Sequence, residues 1–327
     1  MAILVIGLGS MGIRRIRVLK ALGEFDILGF DTDPNRLASA VADLSVGIAS
    51  SPLEIRDAPF LELVIISTPP DAHAEYLAHF LLVGIPAFVE ASVTELPELE
   101  AVRASEGFQD ALVFPSLTML FFDQILKLQE ILSSIGEVLL LTYHTGQHVE
   151  DWHPWETPEE YYVSNPVTGA CRELVPFEFG WLVKIFGNVV PTASNISFLG
   201  LDALSIASIY SIQAELGPKK IRASLVVEVL SRPEATRTLH IVGELGAISY
   251  SELTRELILK TKSKTQVCTF PPPTHSDVGI NPDHPYREEL AACLRAIRTG
   301  ERNLFPNTLD EDIYILRILA EVEKIAT

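Results

Sequence analysis

The sequence predicts a two-domain α/β protein. A doubly wound parallel sheet occupies residues 1–118, and an α+β domain with a large, mainly antiparallel open sheet occupies 119–327, its last helix packing back on the first domain. Three observations carry this. Short β-branched runs alternate with amphipathic stretches over the first third of the chain. The rhythm then changes to longer runs in which apolar and polar residues alternate. The length, 327 residues, fits about two domains.

The expected parallel strands are Ile3–Ile6, Ile27–Phe30, Leu63–Ser67, Ala87–Val89 and Leu112–Phe114. Between the first two, Ile13, Ile16, Leu19 and Leu22 recur at helical spacing and Gly23 follows as a cap. Asp33 before Pro34 reads as an N-cap with proline in the first turn. Beyond residue 118, Met119–Ser133 is a helix and Gly136–His144 a strand. From about 193 to 262, Leu225, Val227 and Val229 alternate with Ser224 and Glu228, and Leu239 and Ile241 with Thr238 and His240. That pattern is an antiparallel sheet with one wet face. Leu290–Ile297 and Ile313–Ile325 close the chain as helices, and Pro271, Pro272 and Pro273 mark an irregular loop.

Composition excludes several functions. Lys and Arg number 25 against 43 Asp and Glu, a net charge of −18 that repels phosphate backbones and anionic lipid, so neither nucleic acid nor membrane is expected as a partner. With 48% hydrophobic and 21% charged residues the chain is expected to fold throughout. The longest apolar runs, at Phe80–Val83 and Val138–Leu141, are far shorter than the ~20 residues a membrane helix needs. A strand-like run starts at Ala2 with no basic segment before it, so a cytoplasmic protein is expected. Cys171, Cys268 and Cys293 match neither a disulfide framework nor a zinc spacing and read as reduced thiols. His275, Asp277, Asp283 and His284 share a stretch without metal-ligand spacing, so no metal is expected.

Gly7, Gly9 and Gly12 form a GxGxxG motif between the first strand and the first helix. The first glycine permits a tight turn, the second admits a pyrophosphate, the third lets helix and strand pack closely, and the helix start at Ser10 and Met11 offers N–H groups to anionic oxygen. Asp31 ends the second strand about 20 residues further on, where a carboxylate accepts from ribose hydroxyls and repels a 2′-phosphate. NAD is therefore expected. NADP is the alternative if Arg14, Arg15 or Arg36 takes the extra phosphate.

With this motif, the segment Ser67–His73 (STPPDAH) and the two-domain rhythm, the chain resembles the Gfo/Idh/MocA oxidoreductases over nearly its whole length. The stretches DWHPWE at Asp151–Glu156 and Arg232–Tyr250 look like the branch found in surface-polysaccharide and unusual-sugar biosynthesis. The resemblance implies a Rossmann domain, oxidation or reduction of sugars, cyclitols or nucleotide sugars, and a homodimer or homotetramer formed through the C-terminal sheet. It places Thr68, Pro69, Pro70 and His73 along the cofactor and Glu90 near the nicotinamide ribose. The family's lysine after that glutamate is Ala91 here. Its Asp–three residues–His signature falls on Glu173 and Phe177, and an arginine common ahead of the second-domain helix is Phe121.

Hydride transfer from an alcohol needs a group that takes the hydroxyl proton. Glu173 is the first candidate, since a half-buried carboxylate has a raised pKa, followed by His153 and Tyr162. The plainer reading of Glu173 is a helix N-terminal carboxylate paired with Arg172. Trp152, Trp155 and Tyr161, with carboxylates between them, suit a sugar ring, and Arg172 suits an anionic group. Glu178 reads as a salt-bridge partner rather than an acid, and His144 and His148 as packing or surface residues. Two readings stay open: an oxidoreductase with a non-standard proton relay, and a dinucleotide-binding regulator or partner subunit without redox chemistry.

Overall fold

The computed structural model describes residues 1–55, 58–91, 96–106, 108–152, 162–199, 206–271 and 283–326, and at 111 and 162 the backbone only. Two compact units emerge, Met1–Phe121 with Thr274–Tyr314, and Phe122–Pro273 with Ile315–Thr327.

In the first unit β1 (Ala2–Ile6), β2 (Ile27–Phe30), β3 (Gly47–Ile48), β4 (Leu61–Ile66), β5 (Ala87–Val89) and β6 (Val113–Pro115) form one sheet in the order β3-β2-β1-β4-β5-β6. Every pairing is parallel. The order reverses between β1 and β4, which opens a crevice beyond the carboxyl ends of those strands. Helices α1 (Ser10–Ala21), α2 (Pro34–Leu44), α3 (His73–Leu82) and α4 (Leu96–Ala104) provide the crossovers. The short β3 had no sequence signal, because two exposed residues carry no periodicity.

Helix α7 (Asp283–Thr299) joins this unit, although the sequence assigned all of 119–327 to the second domain. Its buried face, with Tyr286, Leu290, Cys293 and Leu294, packs into one core with Ile16 and Leu19 of α1 and with Ile3, Val5, Leu63, Ile65, Phe88 and Phe114 of the strands. Burying that apolar stripe, at roughly 25 cal/mol per Å², draws the segment back over a gap of more than 150 residues. Helix α8 (Leu309–Ala326) is shared, with its first residues in one unit and the rest in the other.

In the second unit α5 (Asp123–Ile131), β7 (Val138–Gly146), α6 (Cys171–Phe186), β8 (Val189–Ser197), β9 (Ile209–Leu216), β10 (Ile221–Glu228), β11 (Thr236–Gly243), β12 (Gly246–Ser251), β13 (Glu256–Thr261) and β14 (Thr265–Thr269) follow in order. The sheet runs β14-β13-β12-β11-β7-β10-β9-β8. All its pairings are antiparallel except β7 with β10, because β7 is followed by the crossover helix α6 before the chain returns beside it. Side chains alternate as expected: Tyr210, Ile212, Ala223, Leu225 and Val227 are buried, whereas Gln213 donates from Nε2 to Ser224 Oγ (2.9 Å) across the outer face. The expected single helix over 119–133 is instead a 3-10 turn at Thr118–Phe121, then α5, then a 3-10 turn at Leu132–Ile135.

Among the described residues no helix is long and apolar enough to cross a membrane, and no group of His, Cys, Asp and Glu could hold a metal. All three cysteines are free thiols, Cys171 and Cys293 buried.

Candidate dinucleotide site

The turn from β1 into α1 is shaped by its glycines. Gly7 has φ +85°, and a Cβ there would meet Ser67 O at 2.5 Å; at Gly12 it would meet Gly7 O at 1.8 Å. Gly9 differs, because a Cβ would meet only Arg36 Nη1, at 3.6 Å. The first and third glycines thus hold the turn, and the second leaves open space above it. Gly9 is also the N-cap of α1 and supplies no side-chain hydrogen bond, so the cap itself leaves the first-turn N–H groups of Ser10 and Met11 to another acceptor.

Asp31 follows β2 and is tied to this turn. Its Oδ2 accepts from Leu8 N (2.6 Å) and its Oδ1 from Asp33 N (2.8 Å). Asp33 caps α2 as expected, accepting from Asn35 N (2.8 Å). The three arginines near this corner separate. Arg14 is buried against the Tyr286 ring (4.7 Å) and lies 3.6 Å from Asp283. Arg15 is fully buried elsewhere in the unit. Arg36 alone of the three reaches the turn, half-exposed and 3.8 Å from Asp33.

Across the switch point, Ser67 and Thr68 follow β4. The Thr68 hydroxyl oxygen is buried with no hydrogen-bond partner among the described residues, so an acceptor or donor from a bound molecule would satisfy it. Pro69 is exposed and Pro70 buried. His73, expected along the cofactor, is 1% exposed and donates from Nε2 to Thr68 O (2.9 Å). Burial pushes its pKa down, so a neutral imidazole supports the loop from behind.

Glu90 follows β5, near the crevice. Its Oε1 accepts from Arg15 Nε (2.7 Å) and Ser67 Oγ (3.2 Å), and its Oε2 from Arg15 Nη2 (2.8 Å). Sequence reasoning missed what stands behind it. Arg15 Nη1 donates to Glu289 Oε2 (2.9 Å), and Glu289 also accepts from Ser116 Oγ (3.0 Å), Leu117 N (2.7 Å) and Thr118 Oγ1 (2.7 Å). Burial would discharge Arg15, but Glu90 and Glu289 outweigh it and hold the guanidinium charged, while burial pushes Glu289 up. The signal was present: Arg15 shares a helix face with Gly12, Ile16 and Leu19, and Glu289 with Tyr286, Leu290 and Cys293.

Orphaned hydroxyl, open Gly9 cradle, bare helix terminus and anchored carboxylate all fit a dinucleotide. Residues 1–107 match the model of the oxidoreductase family with an NAD-binding Rossmann fold. Over this segment the chain is similar to the NAD-binding domain of the Gfo/Idh/MocA oxidoreductases. No curated protein sequence matches the chain significantly. Solved structures share this chain's fold over essentially its full length. An oxidoreductase from Agrobacterium radiobacter in complex with NAD+, L-tartaric acid and magnesium is 13% identical with TM-score 0.85, covering 100% of this chain and 96% of that one. A levoglucosan dehydrogenase in complex with NADH and levoglucosan is 14% identical with TM-score 0.82, covering 100% and 97%. A biliverdin reductase from Synechocystis sp. PCC 6803, with biliverdin and NADP+, is 17% identical with TM-score 0.75, covering 99% and 98%. At these identities the likeness is one of fold.

The candidate catalytic and substrate residues lie in the second unit. Glu173 is half-buried in the first turn of α6. Arg172 donates to Glu323 from Nε (2.6 Å) and Nη2 (3.1 Å), and to Val167 O (2.5 Å). Two donors of this guanidinium match both carboxylate oxygens of Glu323. The helix starts at Cys171 and holds Pro176 in its second turn. Glu178 is a salt-bridge partner as expected, 2% exposed, accepting from Arg237 Nη2 (2.7 Å), Tyr143 OH (2.6 Å) and Trp181 Nε1 (3.1 Å). Trp152 donates from Nε1 to Gln147 O (3.2 Å). His153, Trp155 and Tyr161 lie outside the described residues; Tyr162 opens a 3-10 turn to Ser164.

Proposed function

We propose that the chain is an NAD-dependent oxidoreductase transferring a hydride between nicotinamide and a hydroxyl or keto carbon of a sugar, cyclitol or nucleotide sugar. The observation that carries this reading is the crevice flanked by two anchored carboxylates, Asp31 tied to Leu8 and Glu90 tied to Arg15. Asp31 suits the adenosine ribose, the first-turn N–H groups at Ser10 and Met11 suit the pyrophosphate, Thr68 suits a neighbouring hydroxyl or phosphate oxygen, and Glu90 suits the nicotinamide ribose. Arg36 beside Gly9 borders the adenosine half. A bound nicotinamide supplies the hydride acceptor or donor.

Glu173 takes and returns the substrate hydroxyl proton in this proposal, with His153 and Tyr162 as the other candidates. Trp152, Trp155 and Tyr161 stack the sugar's CH face. Arg172, engaged by Glu323, acts first as a clamp on α8. The ligands of the levoglucosan and tartaric-acid complexes, both small and polyhydroxylated, support this substrate class. The outer face of the second sheet, with Leu140 and Val267 exposed, supports a homodimer or homotetramer.

The second reading, a dinucleotide-binding regulator or partner subunit, is favoured by Ala91 and Phe177, which carry no proton at the positions of the family's lysine and histidine. The two are separated by screening sugars and nucleotide sugars for a substrate-dependent change in nicotinamide absorbance, beside Glu173→Gln and His153→Ala. Turnover lost in Glu173→Gln is expected. Binding of NAD with no turnover on any of them would establish the second reading.

A further inference from the structure

Arg15 and Glu289 occupy core-facing positions on α1 and α7, and both side chains are 0% exposed. A buried charge pair of this kind is weak support for stability, because desolvating both ions offsets most of their attraction. Its geometry is directed at Glu90, 13% exposed, whose two oxygens each accept from one nitrogen of Arg15. Behind Arg15, Glu289 accepts from four donors supplied by Arg15, Ser116, Leu117 and Thr118; burial raises its pKa, while Arg15 and the Thr118 hydroxyl pull against that rise and favour the carboxylate. The Phe88 and Tyr286 rings lie 4.6 and 5.1 Å from the guanidinium, which is fully buried. The cluster is one cation between two carboxylates, and with both of these ionised it carries one net negative charge.

We propose that Glu289 is a positioning residue that acts through Arg15 on Glu90, holding a fixed acceptor and a net negative charge beneath the nicotinamide half and so favouring NAD+ over NADH. This rests on the placement of the nicotinamide half over Glu90 in the proposed function. The sheet order supports that placement: Asp31 follows β2 on one side of the switch point, and Glu90 follows β5 on the other. The oxidised ring carries a positive charge that the reduced ring lacks. A net charge nearby in a poorly screened site therefore discriminates between the two forms, whereas a scaffold role affects both alike.

The test is calorimetric titration of NAD+ and of NADH into the wild-type protein and into Glu289→Gln, with a melting curve for each. Glu289→Gln is expected to weaken NAD+ by about tenfold while NADH changes by less than about threefold. Equal losses for the two forms, or no loss, overturn the proposal. Should Glu289→Gln not fold, Glu90→Gln removes the same charge at the crevice edge, and an unchanged NAD+/NADH affinity ratio there overturns it equally. A wild-type protein that binds neither form removes the cofactor reading and this proposal with it. Binding of both forms with a ratio indifferent to either substitution removes this proposal alone.

Discussion

Arg172 and Glu323 meet through two hydrogen bonds, Nε to Oε1 at 2.6 Å and Nη2 to Oε2 at 3.1 Å, and so fasten the start of α6 to the C-terminal helix of the same unit. Tyr210 adds its hydroxyl to Glu323 Oε1 (3.1 Å), and burial first, then that carboxylate, raises the phenol's pKa. The residue read from sequence as a substrate contact is thus held inside its own unit. Arg172→Met is expected to destabilise the protein by about 1 to 3 kcal/mol, measured by urea unfolding. A variant with unchanged stability but a raised KM would return Arg172 to the substrate site.

Gly9 and Gly12 are expected to part company on substitution. Gly12→Ala places a methyl 1.8 Å from Gly7 O, so its melting temperature should fall by several degrees. Gly9→Ala meets only the end of Arg36 at 3.6 Å, so it should melt as the wild type does yet bind NAD at least about tenfold more weakly, because the methyl takes the pyrophosphate's space. Equal NAD affinity in Gly9→Ala would place the dinucleotide elsewhere.

Asp31 has both oxygens on backbone N–H groups and still faces the crevice half-exposed. Asp31→Ser should cost NAD about 1.5 to 3 kcal/mol relative to NADP, the worth of a hydrogen bond to a charged group. Paired titrations with the two dinucleotides give the difference directly. An unaltered preference would remove Asp31 from cofactor selection.

Asp312 and Glu228 should give opposite pH dependences. Asp312 on α8 is 7% exposed, no hydrogen bond or ion pair reaches its carboxylate among the described residues, and burial pushes its pKa up to about 7. The folded state therefore holds a proton that the unfolded chain has released, and stability falls as pH rises from about 4 towards 7. Asp312→Asn should stabilise the protein at pH 8 by about 1 to 3 kcal/mol and flatten that slope. Burial opposes ionisation of Glu228 too, but His144, the Ser231 hydroxyl and the N–H groups of Leu230 and Ser231 outweigh it and hold the carboxyl at about 2. Its contribution is complete above pH 4.5 and is lost as pH falls towards 2. Melting temperatures from pH 2 to 9 for wild type, Asp312→Asn and Glu228→Gln would expose either error of sign.

Much of the dinucleotide site was legible in the chain because it is local: strand, Gly7–Gly9–Gly12 turn, helix start and Asp31 lie within one βαβ unit, and each residue type has a steric or electrostatic reason to stand there. The alternating strands of the second sheet were legible for the same reason, since a period of two shows over six or more residues. Which charges meet was decided only in three dimensions. Arg15 finds Glu289 across 274 positions and Arg172 finds Glu323 across 151, because a guanidinium withdrawn from water takes whichever carboxylate the packed helices bring within reach. Likewise α7 joins the first unit because its apolar face fits against α1, a matter of shape that periodicity along a single helix does not encode.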